Sequence, residues 1–337
     1  MASIPQGAIR FNTDSQKLEF YAQDQWFEMV IDTPALGTSS DTGAGARGLW
    51  GGGRASPDVL SASIDYVNIS STGNAINFGD LTQARRRVSA CASSTRGVWG
   101  GGYDPDRSTI DFVTISSTGN ATSFGSLTTS RRTPGSLSNS TRGIWAGGTT
   151  GPAIQNIIDY ITIAATGSAV DFGDLTVSRD GPQGVSSPVR GVFGGGYLSP
   201  TGNNSNVIDY ITISTLGNAT DFGDLTTTAR NCSSCSNPIR GLFGGGYTPT
   251  SVNTIQYVTI ATLGNAVKFG DLTRIGGPMQ AVSNPTRGVW GGGYVSPLYS
   301  NIIDYVNIST QGNAVDFGDL TVSRAAGGAC SNAHGGL

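Results

Sequence analysis

Arg96-Gly97-Val98-Trp99-Gly100-Gly101-Gly102 is the stretch that decides the fold. The same phrase (Arg-Gly, an aliphatic residue, an aromatic residue, then small residues) begins at Arg47, Arg96, Arg142, Arg190, Arg240 and Arg287. Successive copies start 49, 46, 48, 50 and 47 residues apart. Self-similarity at one period marks an array of supersecondary units, each of which needs its neighbours to bury its apolar surface.

Around that phrase each repeat holds four strand candidates. Strand one is a run of small residues before the Arg-Gly, such as 88–94, and strand two is the phrase itself. Strand three alternates, as in 302–308, and strand four is the Asn-Ala-Val-Asp-Phe-Gly-Asp-Leu type of phrase at 313–320. Short Gly-Asn turns such as 72–74 and 263–265 separate strands three and four. They read as tight hairpins, because Gly and Asn tolerate positive φ. The chain ends supply the topology. Residues 38–46 make a poor strand one for the first repeat, whereas 323–332 make a good strand one with no repeat after it. We therefore expect the C-terminal strand to complete the first unit and close a ring, which removes exposed sheet edges.

The period near fifty, the Gly-rich strand two and the alternating strand three resemble kelch repeats over residues 47–334. The resemblance implies an all-β fold: a six-bladed β-propeller with four-stranded blades. It says little about function, since propellers of this kind serve as enzymes, adaptors and sugar binders.

Composition narrows the function classes. Gly is 50 of 337 residues and charged residues are 13%. Such a composition is common in disordered chains, but the β-branched and aromatic runs bounded by turn residues, such as 64–69 and 208–213, are those of strands. A net charge of −3 gives no broad positive field for nucleic acid. No apolar run reaches the about 18 residues of a membrane span, and residues 1–7 lack the features of a secretion signal. The expected partners therefore include no nucleic acid and no membrane insertion.

Twelve of the 18 Arg recur in two registers. One set opens strand two; the other, Arg85, Arg131, Arg179, Arg230, Arg274 and Arg324, precedes strand one. Acids recur at Asp65, Asp111, Asp159, Asp209 and Asp304 in strand three, and at Asp80, Asp174, Asp224, Asp271 and Asp319 in strand four. One reading is an anion site at the axis. The stronger one is Arg–Asp pairing within and between blades, since a ligand has little use for six equal sites. Cys91, Cys235 and Cys330 share one strand-one position with Leu137, Val185 and Val282, so they read as small core residues. Cys232 and Cys235 have metal-pair spacing, but no second pair exists and the single His is His334. A structural zinc needs four ligands, so no metal and no cofactor are expected. The recurrent acids are better explained by the fold than by catalysis, and no catalytic residue is assigned.

The segment that varies most joins strands two and three, and all its copies share one face of the disc. Loops on a rigid scaffold are where binding concentrates. From these loops we take Tyr299, Asn203, Asn204, Asp104 and Arg107 as candidate ligand contacts. Tyr103, Tyr197, Tyr247 and Tyr294 recur at one position and read as packing residues.

Residues 1–34 share nothing with the repeat, and 35–46 read as a linker to the propeller at 47–337. Ile9/Phe11 and Leu18/Phe20 alternate, and turns at 12–15 and 23–24 predict a three-stranded meander, with Phe11, Phe20 and Trp26 as anchoring residues. A piece this small, below about 40 residues, needs a partner surface. The run Gly-Ala-Ile-Arg-Phe-Asn-Thr (7–13), then Leu-Glu-Phe-Tyr (18–21) and Trp26, resembles a motif of tailed-bacteriophage fibre and virion structural proteins. That resemblance implies a tail fibre, appendage or decoration in the virion, assembled in the host cytoplasm. The arm would contact other virion proteins or form a homo-oligomer, while the propeller binds a host surface glycan or receptor. The alternatives are an internal assembly or scaffolding module and a polysaccharide-active propeller enzyme.

Overall fold

The computed structural model describes residues 5, 7–12, 17–23, 25–28, 46–198 and 201–337. The chain divides into two compact units, Met1–Thr42 and Gly43–Leu337. The expected boundary between arm and linker at 34/35 lies outside the described residues. Among the described residues every regular element is a β-strand.

The first unit is the three-stranded antiparallel meander: Ile9–Asn12, Lys17–Ala22 and Gln25–Glu28, in chain order. Arg10 and Glu19 face each other across the first pair and form an ion pair at 2.8 Å. The Arg10 guanidinium lies 4.2 Å from the Trp26 ring centroid, and Tyr21 lies 5.2 Å from it on the next strand. Trp26, on the edge strand, thus meets side chains from both other strands. The side chains of Phe11 and Phe20 lie outside the described residues.

Among the described residues the second unit contains six four-stranded antiparallel sheets. The Arg-Gly phrase is strand two in every one, from Arg47–Gly51 to Arg287–Gly291. In the first sheet strand one is Gly328–Ser331, paired with Arg47–Gly51, and Arg324–Ala325 pairs with Arg54–Ala55 just outside it. The first and last segments of the unit therefore share a sheet. The first strands of successive sheets neighbour one another in order from one to six, and those of sheets six and one are neighbours too. The architecture is propeller-like.

Strand three is buried on both faces, unlike a half-exposed strand. In Ser63–Asn68 only Asn68 is exposed. Each pairing of strands three and four breaks register at one equivalent place, as at Ile64/Asp65, and that of sheet four breaks a second time at Ser205/Val207. There Ile64 faces Gly79 and Asp65 faces Asn77, leaving Phe78 as the extra residue of a bulge. The bulge turns Phe78 edge-on to Tyr66, at 5.7 Å and 83°, and the other five sheets repeat this pair.

Three devices join neighbouring sheets. First, the strand-two aromatic wedges against the preceding sheet. A Cβ at Gly51 would lie 2.7 Å from Trp99 Nε1, and Gly100, Gly194, Gly244 and Gly291 make the same room for the next aromatic. Second, the Arg of strand two spans to the next sheet. Arg96 Nη1 donates to the Ile163 and Ala164 carbonyls while its guanidinium sits 4.7 Å from the Phe112 ring. The set repeats around the unit and ends with Arg287 on Ile69. Third, the Gly-Asn segment docks on the preceding sheet. Gly119 N–H donates to Phe78 O, Ala121 N–H to Asp80 O, and Asp80 N–H to Asn120 Oδ1.

The third device corrects the hairpin reading. Strand three ends at Asn68 and strand four starts at Ile76, so the turn is longer than a tight hairpin. Its Asn serves through its side chain, which accepts an N–H from the neighbouring sheet. The Phe-Gly of strand four is Gly because a Cβ at Gly79, Gly173 or Gly318 would overlap the docked segment.

Candidate functional site

The recurrent charged residues belong to the framework. Arg85–Asp111, Arg131–Asp159, Arg179–Asp209, Arg274–Asp304 and Arg324–Asp65 pair at 2.5–3.0 Å, with side chains 8% exposed or less. Burial pushes each of these guanidinium pKa values down, and the facing aspartate opposes the shift. Each aspartate also accepts from a threonine at the end of the preceding sheet's strand four, as Asp111 does from Thr82 at 2.8 Å. The Arg–Asp reading therefore holds for this register. The strand-two set instead reaches carbonyls and aromatic rings.

Sheet five corrects the sequence alignment. Gly196 N–H donates to Ala229 O, as Gly53 N–H does to Arg85 O, so Ala229 occupies the buried position assigned to Arg230. The strand-three acid is Gln256 there, and its Oε1 takes the threonine contact from Thr226. Arg and Asp are thus lost together, since a buried carboxylate without its partner is costly. Arg230 moves one residue on and stacks at 5.0 Å on Tyr197 and 4.8 Å on Tyr247.

The four cysteines are buried and unbridged. Burial pushes the thiols of Cys232 and Cys330 up to about 12 and raises those of Cys91 and Cys235 as well. They stay protonated near neutral pH, which makes them poor nucleophiles and poor metal ligands. Cys232 and Cys235 gain no third partner: no group of three or more His, Cys, Asp or Glu is arranged for a metal ion among the described residues.

A cavity of about 750 Å³ is lined by the first strands of all six sheets. One end is crossed by a serine ladder. Ser331 Oγ donates to Ser283 O, Ser283 to Ser236 O, Ser236 to Ser186 O, Ser186 to Ser138 O and Ser138 to Ala92 O. The sixth rung is Ala92, and His334 fills it. Its Nε2 lies 2.9 Å from Ala92 O and 3.1 Å from Ser138 Oγ, while Nδ1 accepts from Gly336 N–H. That pattern assigns the Nε2–H tautomer, and burial pushes the imidazole pKa down.

The other end opens on the face that carries the strand two–three loops. A collar of backbone surrounds it. Arg87, Thr133, Gly181, Asn231 and Ala326 occupy equivalent places with φ of 55°, 51°, 64°, 55° and 57°. Arg87 N–H donates to Ala326 O, Thr133 N–H to Arg87 O, and Gly181 N–H to Thr133 O. Left-handed backbone is rare for non-glycine residues, rarer still for a β-branched one such as Thr133. The surrounding hydrogen bonds impose it. Around the collar stand Arg54, Arg86, Arg230, Asp180 and the ring pair Tyr294–Tyr299, whose centroids are 5.6 Å apart.

Among the sequence-derived contacts, Tyr299 lines this mouth, its hydroxyl donating to Asp58 Oδ1 at 2.7 Å. The other four lie in the loops outside the lining. Asp104 pairs with Arg86 at 3.1 Å, and Arg107 donates to Asp104 O at 3.3 Å. Asn204 Nδ2 donates to Tyr247 O at 2.7 Å, and Asn203 O closes its own turn by accepting from Leu198 N–H. Of the recurrent tyrosines, Tyr103 lies under Arg86, Arg87 and Arg132 at 4.8–5.8 Å.

No protein-family model matches this chain, and no curated protein matches it.

Sequence reasoning missed Arg87, Asp180 and Gln280, which come from three different sheets and meet only around the cavity. The available signal was the connector between strands four and one. There Arg87 and Asp180 are charged residues outside the repeated registers.

Proposed function

We propose that this protein is a bacteriophage virion component, a tail fibre, appendage or decoration, that works by binding. In this reading the six sheets are the blades of a closed, kelch-type propeller, and the 9–28 meander anchors it to other virion proteins or to sister copies. The loop face with its cavity is offered to a host surface glycan or receptor. The observation that carries the reading is the division of labour in the chain. A small meander with the Gly-Ala-Ile-Arg-Phe-Asn-Thr motif precedes a large compact unit with a cavity on the side of the variable loops. Binding is favoured over catalysis because the repeated Arg–Asp pairs are spent holding the sheets.

Mass spectrometry of purified particles tests this directly: the protein is expected among the structural components, and its absence sinks the proposal. A second reading, an internal assembly module, draws on Val189, Ile239, Leu216 and Leu263. These residues are more than half exposed on the strand one–two and three–four loops of sheets four and five, opposite the cavity mouth. Cryo-electron microscopy of intact particles separates the two, since stacking would cover that face.

A further inference from the structure

We propose that the sector of the cavity mouth between sheets four and five binds the carboxylate group of an acidic saccharide, with Arg230, held between Tyr197 and Tyr247, as its anchor. The inference rests on the glycan-binding reading above and gives it a ligand class and a place.

Arg230 has two counterparts at the mouth, and it differs from both. Backbone bridges join Arg86 to Tyr103, Arg132 to Thr149 and Arg230 to Tyr247, so the three arginines occupy equivalent places in sheets two, three and five. Asp104 pairs with Arg86 at 3.1 Å, and Asp106 pairs with Arg132 at 2.8 Å. Both acids belong to the run Tyr103-Asp104-Pro105-Asp106, which in sheet five reads Tyr247-Thr248-Pro249-Thr250. The two loops that flank Arg230, 197–206 and 247–253, contain no acid. Asp180, which holds the equivalent place in sheet four, accepts from Thr133 and Thr149 and so is engaged on the side of sheet three. Arg230 is left with no ion pair and no hydrogen bond from its guanidinium among the described residues.

The charge is placed for a ligand. Arg230 lines the cavity, and its guanidinium lies over the Tyr197 and Tyr247 rings, at 5.0 and 4.8 Å. Stacking occupies the faces of a guanidinium and leaves its in-plane N–H groups free to bond. Nε is covered, whereas the two terminal nitrogens are not. A fixed plane with free terminal donors suits a carboxylate, which accepts in that same plane. The next residue, Asn231, is exposed, lines the cavity and makes no side-chain hydrogen bond among the described residues. Its amide offers both a donor and an acceptor, the pair that sugar hydroxyls use. Tyr247 keeps 38% of its surface exposed, against which the apolar side of a sugar ring packs.

The test is calorimetric titration of the full chain with a galacturonic-acid trisaccharide, with the neutral galactose trisaccharide and with a hexa-aspartate peptide. The acidic sugar is expected to bind roughly tenfold or more tightly than the neutral one, the scale of a charge-assisted hydrogen bond. Arg230→Gln should erase that preference and leave the neutral sugar's affinity unchanged. If Arg230→Gln fails to fold, Tyr247→Leu serves instead; it removes one wall of the clamp and should reduce the preference. Equal affinity of the wild type for both sugars, or an unchanged preference in folded Arg230→Gln, overturns the proposal. Tighter binding of the peptide than of the acidic sugar overturns the saccharide assignment. The two readings fail separately. Sugar binding that is indifferent to Arg230 keeps the glycan reading and removes this site, whereas a protein absent from particles that still binds the acidic sugar through Arg230 keeps the site and loses only the virion role.

Discussion

At the scale of single residues, the buried Arg–Asp pairs decide more than they stabilise. Two buried charges pay a desolvation cost that their attraction only roughly offsets, whereas removing one partner strands the other. Sheet five shows the permitted escape, since Ala229 and Gln256 replace both partners together. Arg179→Ala is therefore expected to cost about 3–5 kcal/mol, the scale for breaking a buried pair. Adding Asp209→Gln, which copies sheet five, should recover most of that loss in urea unfolding. A double variant as unstable as the single one would show that the pair is not the unit of stability here.

At the scale of elements, the contact between one sheet's strand four and the next sheet's Gly-Asn segment sets how closely sheets approach. Two glycines within one such contact separate close approach from backbone freedom, because neither Gly270 nor Gly312 has a left-handed φ. A Cβ at Gly270 would overlap the Gly312 carbonyl, and the clash is with backbone; a Cβ at Gly312 meets nothing within 4 Å. Gly270→Ala should lower the thermal unfolding midpoint by several degrees, as about 1–3 kcal/mol of overpacking does. Gly312→Ala should leave it nearly unchanged. Similar shifts for both would move the cause from packing to chain entropy.

At the scale of the whole molecule, stability depends on the segment that returns to the first sheet. Deleting 332–337 removes His334 from the serine ladder but leaves the pairing of Gly328–Ser331 with Arg47–Gly51. Deleting 323–337 removes that strand, strips Arg324 from Asp65 and bares both the edge of strand two and the first strand of sheet six. An uncovered edge invites pairing with other chains. Gel filtration should show the shorter deletion eluting as the intact chain does and the longer one aggregating. A well-behaved 1–322 fragment would mean that the returning strand is dispensable.

The order of strands, the six Arg-Gly phrases, the return of the C-terminal strand and the meander at the N-terminus were legible in the amino-acid sequence. Each follows from local periodicity and from a repeat that can be aligned with itself. Tertiary structure alone decided where Arg230 belongs, what the Gly-Asn segments do and which residues meet at the cavity mouth. A one-residue offset between Ala229 and Arg230 is invisible to a register built on residue type. Gly79 and Asn120 are neighbours only because two sheets touch. Arg87, Ala326 and Gln280 come from separate repeats, and their convergence is a property of how sheets are set side by side, which no single repeat encodes.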